Sequence, residues 1–310
     1  MTSILRHQKR LRELRVEVEM GKTVTQQFTP VPLDELVFGV RDFKNKSLVE
    51  KRIFIQRLVE AHPILNLQWG PGRRFRRARR LSGNEVPPDH VNGVAWRGEV
   101  PARQGRANPS GFSVIYLADR METAFREVHA EVDRTVIAEF AILEHHAIHI
   151  APIGEMSLIQ RSGRGWLSGN ASFEISQMLN ACVLDEAKSL LVTDAFLFDC
   201  LTNPEDDYDI SSTVATCVFE KIPAVTSIAY PSRRQHGAIN LAVRTDSFWD
   251  NWGIVSIQCG LATHLACGYY RFSDRRHVSG ITRSGVLRWD AELLDDHSTI
   301  LLDPPWTPPS

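Results

Sequence analysis

Short apolar runs with the two-residue alternation of strands are interleaved with helical stretches of unequal length. No other feature of this chain limits its fold so strongly. The segments SVIYLA (113–118), TVIAEFAIL (135–143), SIAYPS (227–232) and AINLAV (238–243) have the β-branched and aromatic content of strands. In SLVEKRIFIQRLVEAHP, Ser47 and Glu50 have the spacing of a capping box. Leu48, Val49, Ile53, Ile55, Leu58 and Val59 give it a broad apolar surface, and Pro63 marks the stop, which predicts a helix over 48–61. A second helix is predicted over 172–192, along Ile175, Met178, Leu179, Cys182 and Val183. A third covers DISSTVATCVFEKI and ends before Pro223. A doubly wound sheet needs strand and helix to alternate regularly. This chain does not alternate regularly, so it is expected to be α+β.

The chain has 310 residues, 43% apolar and 24% charged, enough for a sizeable core. A net charge of -1 sets up no field for nucleic acid or a membrane surface, and neither is an expected partner. No apolar run approaches the roughly 18 residues of a spanning helix, and the N-terminal stretch lacks the pattern of a signal peptide. A cytoplasmic protein is expected. The five cysteines, scattered and odd in number, argue against a disulfide framework. The expected organisation is an N-terminal helical extension over 1–68, a core over 69–245, and a C-terminal extension over 246–310 packed on the core. The first 30 residues, polar and charge-rich, read as a frayed extension or an arm for a partner, and the tail PPWTPPS as unpacked and disordered.

Polar groups collect at the ends of the central elements. WGPGRRFRRARR (69–80) turns at Gly70, Pro71 and Gly72 and then carries six arginines between 73 and 80. FRRARRL is expected to extend as a strand with Phe75, Arg77, Arg79 and Leu81 on one side. Such a run can track a nucleic-acid backbone, but the chain is not basic and no helix-turn-helix or finger spacing accompanies it. Nucleotide phosphates or local acids are the expected partners. The loop over 82–112, rich in Gly, Pro, Asn and Ser, has the character of a binding loop. In it, Arg106 reads either as a surface arginine or as a planar fork for phosphate oxygens. Tyr116 shares a strand face with Val114 and Ala118. Alone it reads as a core tyrosine or as a rigid aromatic contact. Asp119 and Glu122 have capping-box spacing for the next helix, whose apolar face holds Met121, Ala124, Phe125 and Val128. Glu127 sits beside that face, either as a solvent-facing flank charge or turned toward the preceding strand near Tyr116. Ser232 follows Pro231 and reads as a hydroxyl tying down a turn. Cys259, His264 and Cys267 match no zinc spacing, so no metal is expected. GxGxxG, GxxxxGK[ST] and GxSxG are all absent.

In order, these blocks are more specific than apart. FRRAR, then GRANPSGFSVIYLADRMETAFREV, then IAYPSRRQHGAINLAV resembles the RES domain family, named after its Arg, Glu and Ser residues, over about 70–245. The middle block, a GRxNPxG loop, a YLA strand and an ETAxxEV helix start, is the most specific. The resemblance implies a twisted mixed sheet flanked by helices, similar to ADP-ribosyltransferases, and an enzyme that consumes NAD. Many members are toxins of toxin–antitoxin modules, restrained by an Xre-type antitoxin with a DNA-binding domain. Such a protein is the implied partner, and a homodimer is left open. Carried over motif by motif, the arginines are Arg77 and Arg106, the tyrosine Tyr116, the glutamate Glu127 and the serine Ser232. Arg76 and Arg79 compete with Arg77 for its place.

The implied reaction is cleavage of the nicotinamide–ribose bond of NAD, by an NAD glycohydrolase with water as acceptor or an NAD phosphorylase with inorganic phosphate as co-substrate. Cleavage passes through an oxocarbenium-like centre. Arginines suit the diphosphate, so Arg77 and Arg106 are its expected ligands. Tyr116 suits stacking on the nicotinamide or its ribose. Glu127 would bond ribose hydroxyls, place negative charge near the developing cation, and act as base where water attacks. Ser232 would bond the nicotinamide amide or the ribose; without a base partner in the sequence it is no nucleophile. Two other readings stand beside this one: ADP-ribosyl transfer to a macromolecule, and a non-catalytic nucleotide- or partner-binding module. The second is disfavoured because every polar motif position is filled.

Overall fold

The computed structural model describes residues 22–96, 101–202, 208–295 and 298–309, so most of the expected N-terminal arm lies outside the described residues. Helices α1 (Val24–Gln27), α2 (Leu33–Arg41) and α3 (Leu48–Ala61) precede strands β1 (Leu67–Trp69), β2 (Arg74–Arg80) and β3 (Val114–Ala118). Helix α4 (Met121–Glu127) leads to β4 (Val132–Ile142) and β5 (Ile148–Pro152). Then come α5 (Glu155–Ser162), α6 (Ser172–Asn180), α7 (Leu184–Thr202) and α8 (Tyr208–Lys221). Strands β6 (Ser227–Pro231) and β7 (Ile239–Arg244), helix α9 (Phe248–Asn251), and strands β8 (Trp252–Ala266), β9 (Tyr269–Ile281) and β10 (Leu287–Trp289) follow. The fold is α+β, with a mixed, open sheet flanked by helices, consistent with an ADP-ribosyltransferase-like arrangement.

Among the described residues, those up to Gly70, with Ala102–Phe112 and Ile148–Tyr230, form one compact unit. In it β5 pairs antiparallel with β1 and parallel with β6. Helix α3 starts as its sequence predicts. The Glu50 N–H donates to Ser47 Oγ at 3.4 Å, and the Ser47 N–H donates to the Glu50 carboxylate at 2.8 Å. Its buried line is narrower than expected: Ile55, Leu58 and Val59 are covered, whereas Val49 is 65% and Ile53 61% exposed. The helix predicted over 172–192 is two helices. Asp185 and Glu186 occupy the first turn of α7, where carboxylates favour a new helix start over a continued one. The core of this unit gathers Val24, Leu65, Met156, Ile159, Ile175, Leu179 and Leu190.

Pro71–Pro101, Ser113–Ala147 and Pro231–Ser310 form the second unit. Its strands run in the order β7-β3-β2-β4-β8-β9-β10. Strand β4 is paired on both sides, Ala138 facing Arg77 of β2 and Ile257 of β8, and it is buried without a break from Thr135 to Phe140. That accounts for its apolar run, broken only by Thr135 and the ion-paired Glu139. Strand β3 pairs with β7 along its length but meets β2 at one register pair, Arg76 with Ala118, so the ladder between β2 and β3 opens beyond that point. Ala124 and Phe125 of α4 pack on Ala78, Ala118, Ile137, Ala262 and Phe272. The expected capping box of α4 does not form. The N-cap is Arg120, which makes Thr123 the third helical residue, and the Thr123 hydroxyl donates to Asp119 at 3.3 Å.

The tail also differs from its expectation. Ile254 and Trp306 exchange backbone hydrogen bonds, both at 2.9 Å, and the Trp306 indole donates to the Thr282 carbonyl at 3.0 Å. Proline has no N–H to satisfy, so one backbone bridge and one aromatic anchor suffice to hold a proline-rich segment.

Candidate active site

Helix α4 ends in a sharp reversal. The Ala130 N–H donates to the Phe125 carbonyl at 3.0 Å and the His129 N–H to that of Arg126 at 3.1 Å, the two bonds of a Schellman motif. The left-handed position, where glycine is usual, is held by His129 at φ 55. Glu127 is therefore the last helical residue. While Thr123, Ala124 and Phe125 are buried, its side chain leaves the covered face.

Pro231 ends β6 and Ser232 begins a turn. Ser232 Oγ accepts from the N–H groups of Arg234 (3.2 Å) and Gln235 (3.1 Å), and the Ser232 N–H donates to the Ala238 carbonyl at 2.8 Å. Gly237 at φ 72 supplies the reversal. So fixed, the Ser232 hydroxyl donates to Glu127 Oε1 at 2.7 Å. Asn240 of β7, in register with Ala118 of β3, donates its amide to the same oxygen at 2.8 Å. Both donors are buried. Glu127 Oε2 faces Arg234 Nε at 3.8 Å, and Arg234 Nη1 donates to His129 Nδ1 at 3.3 Å. One carboxylate oxygen is thus saturated by neutral donors and the other lies near a cation.

Tyr116 is in register with Ala242, so it lies on the strand face that also carries Ala118 and Asn240. The arginines of β2 are mostly engaged locally. Arg76 pairs with Glu139 and donates to the Asp119 carbonyl at 2.7 Å; Arg79 pairs with Glu85; Arg80 donates to the His129 carbonyl at 2.9 Å. Arg77, half-buried where the β2–β3 ladder opens, has no ion pair or side-chain hydrogen bond among the described residues. Burial holds its guanidinium below the ordinary arginine range, the like charge of Arg79 adds to this, and Tyr116 opposes it. Arg106 belongs to the first unit. There its Nη1 donates to the Leu201 carbonyl at 2.9 Å, in the last turn of α7, where a cation complements the helix end.

The structure thus joins Glu127 to Ser232, places Arg77 and Tyr116 on the neighbouring strands β2 and β3, and ties Arg106 to α7. Three further residues belong with Glu127 that sequence reasoning did not single out: Asn240, Arg234 and His129. Asn240 carried a signal, an amide inside the apolar run AINLAV, because a buried amide must find a partner. Arg234 and His129 carried none, since only the two turns bring them together.

The family model for the RES domain matches residues 77–255, more than half of the chain. The chain belongs to the RES domain family. No curated protein and no solved structure matches it significantly. The match begins at Arg77 and takes in Arg106, Tyr116, Glu127, Ser232 and Asn240, while most of β8 and all of β9 and β10 lie beyond it. RES domains are known generally for NAD-related toxin activity, so enzymatic action on NAD is indicated for this RES domain in general terms. Among the described residues no helix is long and apolar enough to cross a membrane.

Proposed function

We propose that this RES domain breaks the nicotinamide–ribose bond of NAD and passes the ADP-ribosyl group to water or inorganic phosphate. The observation that carries this reading is the Glu127 carboxylate, held on one oxygen by Ser232 and Asn240 before any substrate arrives. A charge oriented in advance does not reorganise when a cation develops beside it, which is where electrostatic catalysis gains most. In the proposed reaction the bonding pair leaves with nicotinamide, whose ring becomes neutral, and an acceptor oxygen bonds to the anomeric carbon. With water as acceptor, Glu127 takes the released proton. Phosphate needs no such help. Ser232 acts here as a positioning residue, because its proton is already engaged with Glu127. Tyr116 is assigned to the nicotinamide or its ribose, Arg77 to phosphate oxygens, and Arg106 keeps the diphosphate role its motif implies.

The test is incubation of pure protein with labelled NAD, with and without phosphate and a cell lysate. Release of nicotinamide with ADP-ribose, or with ADP-ribose-1''-phosphate, is expected. Label transferred to macromolecules, or no release at all, would overturn the reading. We also propose restraint by an Xre-type antitoxin, since unregulated loss of a central cofactor harms the host. Expression alone is then expected to arrest growth, and co-expression with an Xre-type DNA-binding antitoxin to relieve it. Harmless accumulation of the active enzyme alone would count against this.

A further inference from the structure

A cavity of about 340 Å³ lies in the second unit, and neither Glu127 nor Ser232 lines it. Its walls include Arg76, Arg120, Glu139, Ser256, Gln258 and Arg275. Ser256, Gln258 and Arg275 fall beyond the matched RES segment, so the cavity draws on β8 and β9 residues outside the family pattern.

Arg275 is only 6% exposed, yet no carboxylate pairs with it among the described residues. Its Nη1 donates to the Gln258 side-chain oxygen at 3.2 Å, another nitrogen donates to the Asp295 carbonyl, and its Nε has no partner. Neither partner is charged. A buried guanidinium met only by neutral groups lacks the anion that normally offsets its lost hydration. Gln258, 7% exposed, uses its oxygen on Arg275, and its amide nitrogen has no hydrogen bond among the described residues. Of the two acids in the lining, Glu139 is already neutralised. It pairs with Arg76, lies 3.6 Å from Arg74, and accepts from Ser256 Oγ at 3.4 Å. Arg120, also in the lining, is paired with Asp119 at 3.7 Å, and Glu122 carries a negative charge in the same wall. The buried unmet groups, Arg275 Nε and the Gln258 amide nitrogen, are donors, so a ligand held by them must bring acceptors and negative charge. The volume fits a small metabolite rather than a dinucleotide.

We propose that this cavity binds a small oxyanion, the phosphoryl or carboxylate group of a metabolite, through Arg275 and Gln258. The site is distinct from the residues assigned to NAD. The test reads the thermal midpoint of the full chain with inorganic phosphate, ribose 5-phosphate or citrate, in the wild type, Arg275→Met and Gln258→Glu. A wild-type rise of about 4 °C is expected with a probe well above its Kd. Arg275→Met removes the cation and should abolish the rise. Gln258→Glu should also abolish it and should melt higher than the wild type without any probe, because its carboxylate serves Arg275 in the ligand's place. A response to phosphate and ribose 5-phosphate identifies a phosphoryl site, and a response to citrate alone a carboxylate site. No response in the wild type, or the same response in all three proteins, overturns the proposal. Should Arg275→Met not fold, Gln258→Glu decides alone. NAD cleavage, read on the same samples, is expected to be unchanged in Gln258→Glu, so failure here and failure of the NAD reading are separable.

Discussion

Glu127 holds two neutral donors on one oxygen and faces a single arginine with the other, and this asymmetry makes its replacement informative. In Glu127→Gln the amide oxygen can still accept from Ser232 and Asn240, so stability should change by no more than about 1 kcal/mol. Turnover should fall roughly a hundredfold, because the lost charge acts on the transition state. Nicotinamide release and denaturant unfolding check the two halves. Near-normal cleavage would reduce Glu127 to a tethered helix end. Arg106→Ala should behave differently, raising KM as well as lowering the rate, as expected for a ground-state contact. An arginine that only ties its loop to α7 would change stability and leave KM alone. At this scale the sequence was legible where residue type and motif order agreed, as for Glu127 with Ser232. It was silent on Arg234 and His129, whose meeting depends on the backbone of two turns rather than on any local pattern.

Elements were legible where one signal governed them. The capping box of α3 and the strands β3, β4 and β7 stand where periodicity and composition put them. The reading failed where two local rules competed. The apolar line through 172–192 favoured one helix, but acids at 185 and 186 favour a helix start. Asp119 was a good cap by type, yet the helix begins one residue too late to use it. The end of α4 offers a direct test. A histidine at φ 55 is disfavoured relative to glycine, so His129→Gly should stabilise the protein by about 0.5 kcal/mol in denaturant unfolding. A second test concerns α3. Lys221 Nζ donates to the carbonyls of Val59, Glu60 and His62 at 2.9, 2.8 and 2.6 Å. Burial brings its pKa down to about 8, against the pull of Glu60. An unfolded lysine titrates near ~10.4, so between these values the unfolded chain holds a proton that the folded chain has released. Stability should therefore rise with pH across that window. Compared with Lys221→Met, the wild type should gain in urea midpoint as pH goes from about 7.5 to about 9.5.

Across the whole molecule, α+β architecture was legible from irregular interleaving alone, whereas the strands of the last sixty-odd residues were not. Strand β8 carries its meaning in β4, a partner far earlier in the sequence, and no local signal reports such pairing. The cysteines give a global check on packing. Cys217 is pushed up to about 11, chiefly by burial, with Glu220 and Glu60 adding to it, while Cys267 is exposed in a tight turn at φ 51. Alkylation of the native protein near pH 8 should label Cys267 first, because the Cys217 thiol then stays almost wholly protonated. Peptide mass spectrometry would read the order, and early labelling at Cys217 would contradict the packing of α8.

The docked tail has an optical consequence. Trp96 stacks on Trp249 at 5.2 Å, and Trp306 meets Trp249 edge-on at 5.7 Å, three indoles from distant parts of the chain in one row. Excitation of one indole is shared with the next, and lifting Trp306 from β8 removes the last member of the row. Emission followed along a denaturant series should therefore separate release of the tail from melting of the sheet, with no dye attached.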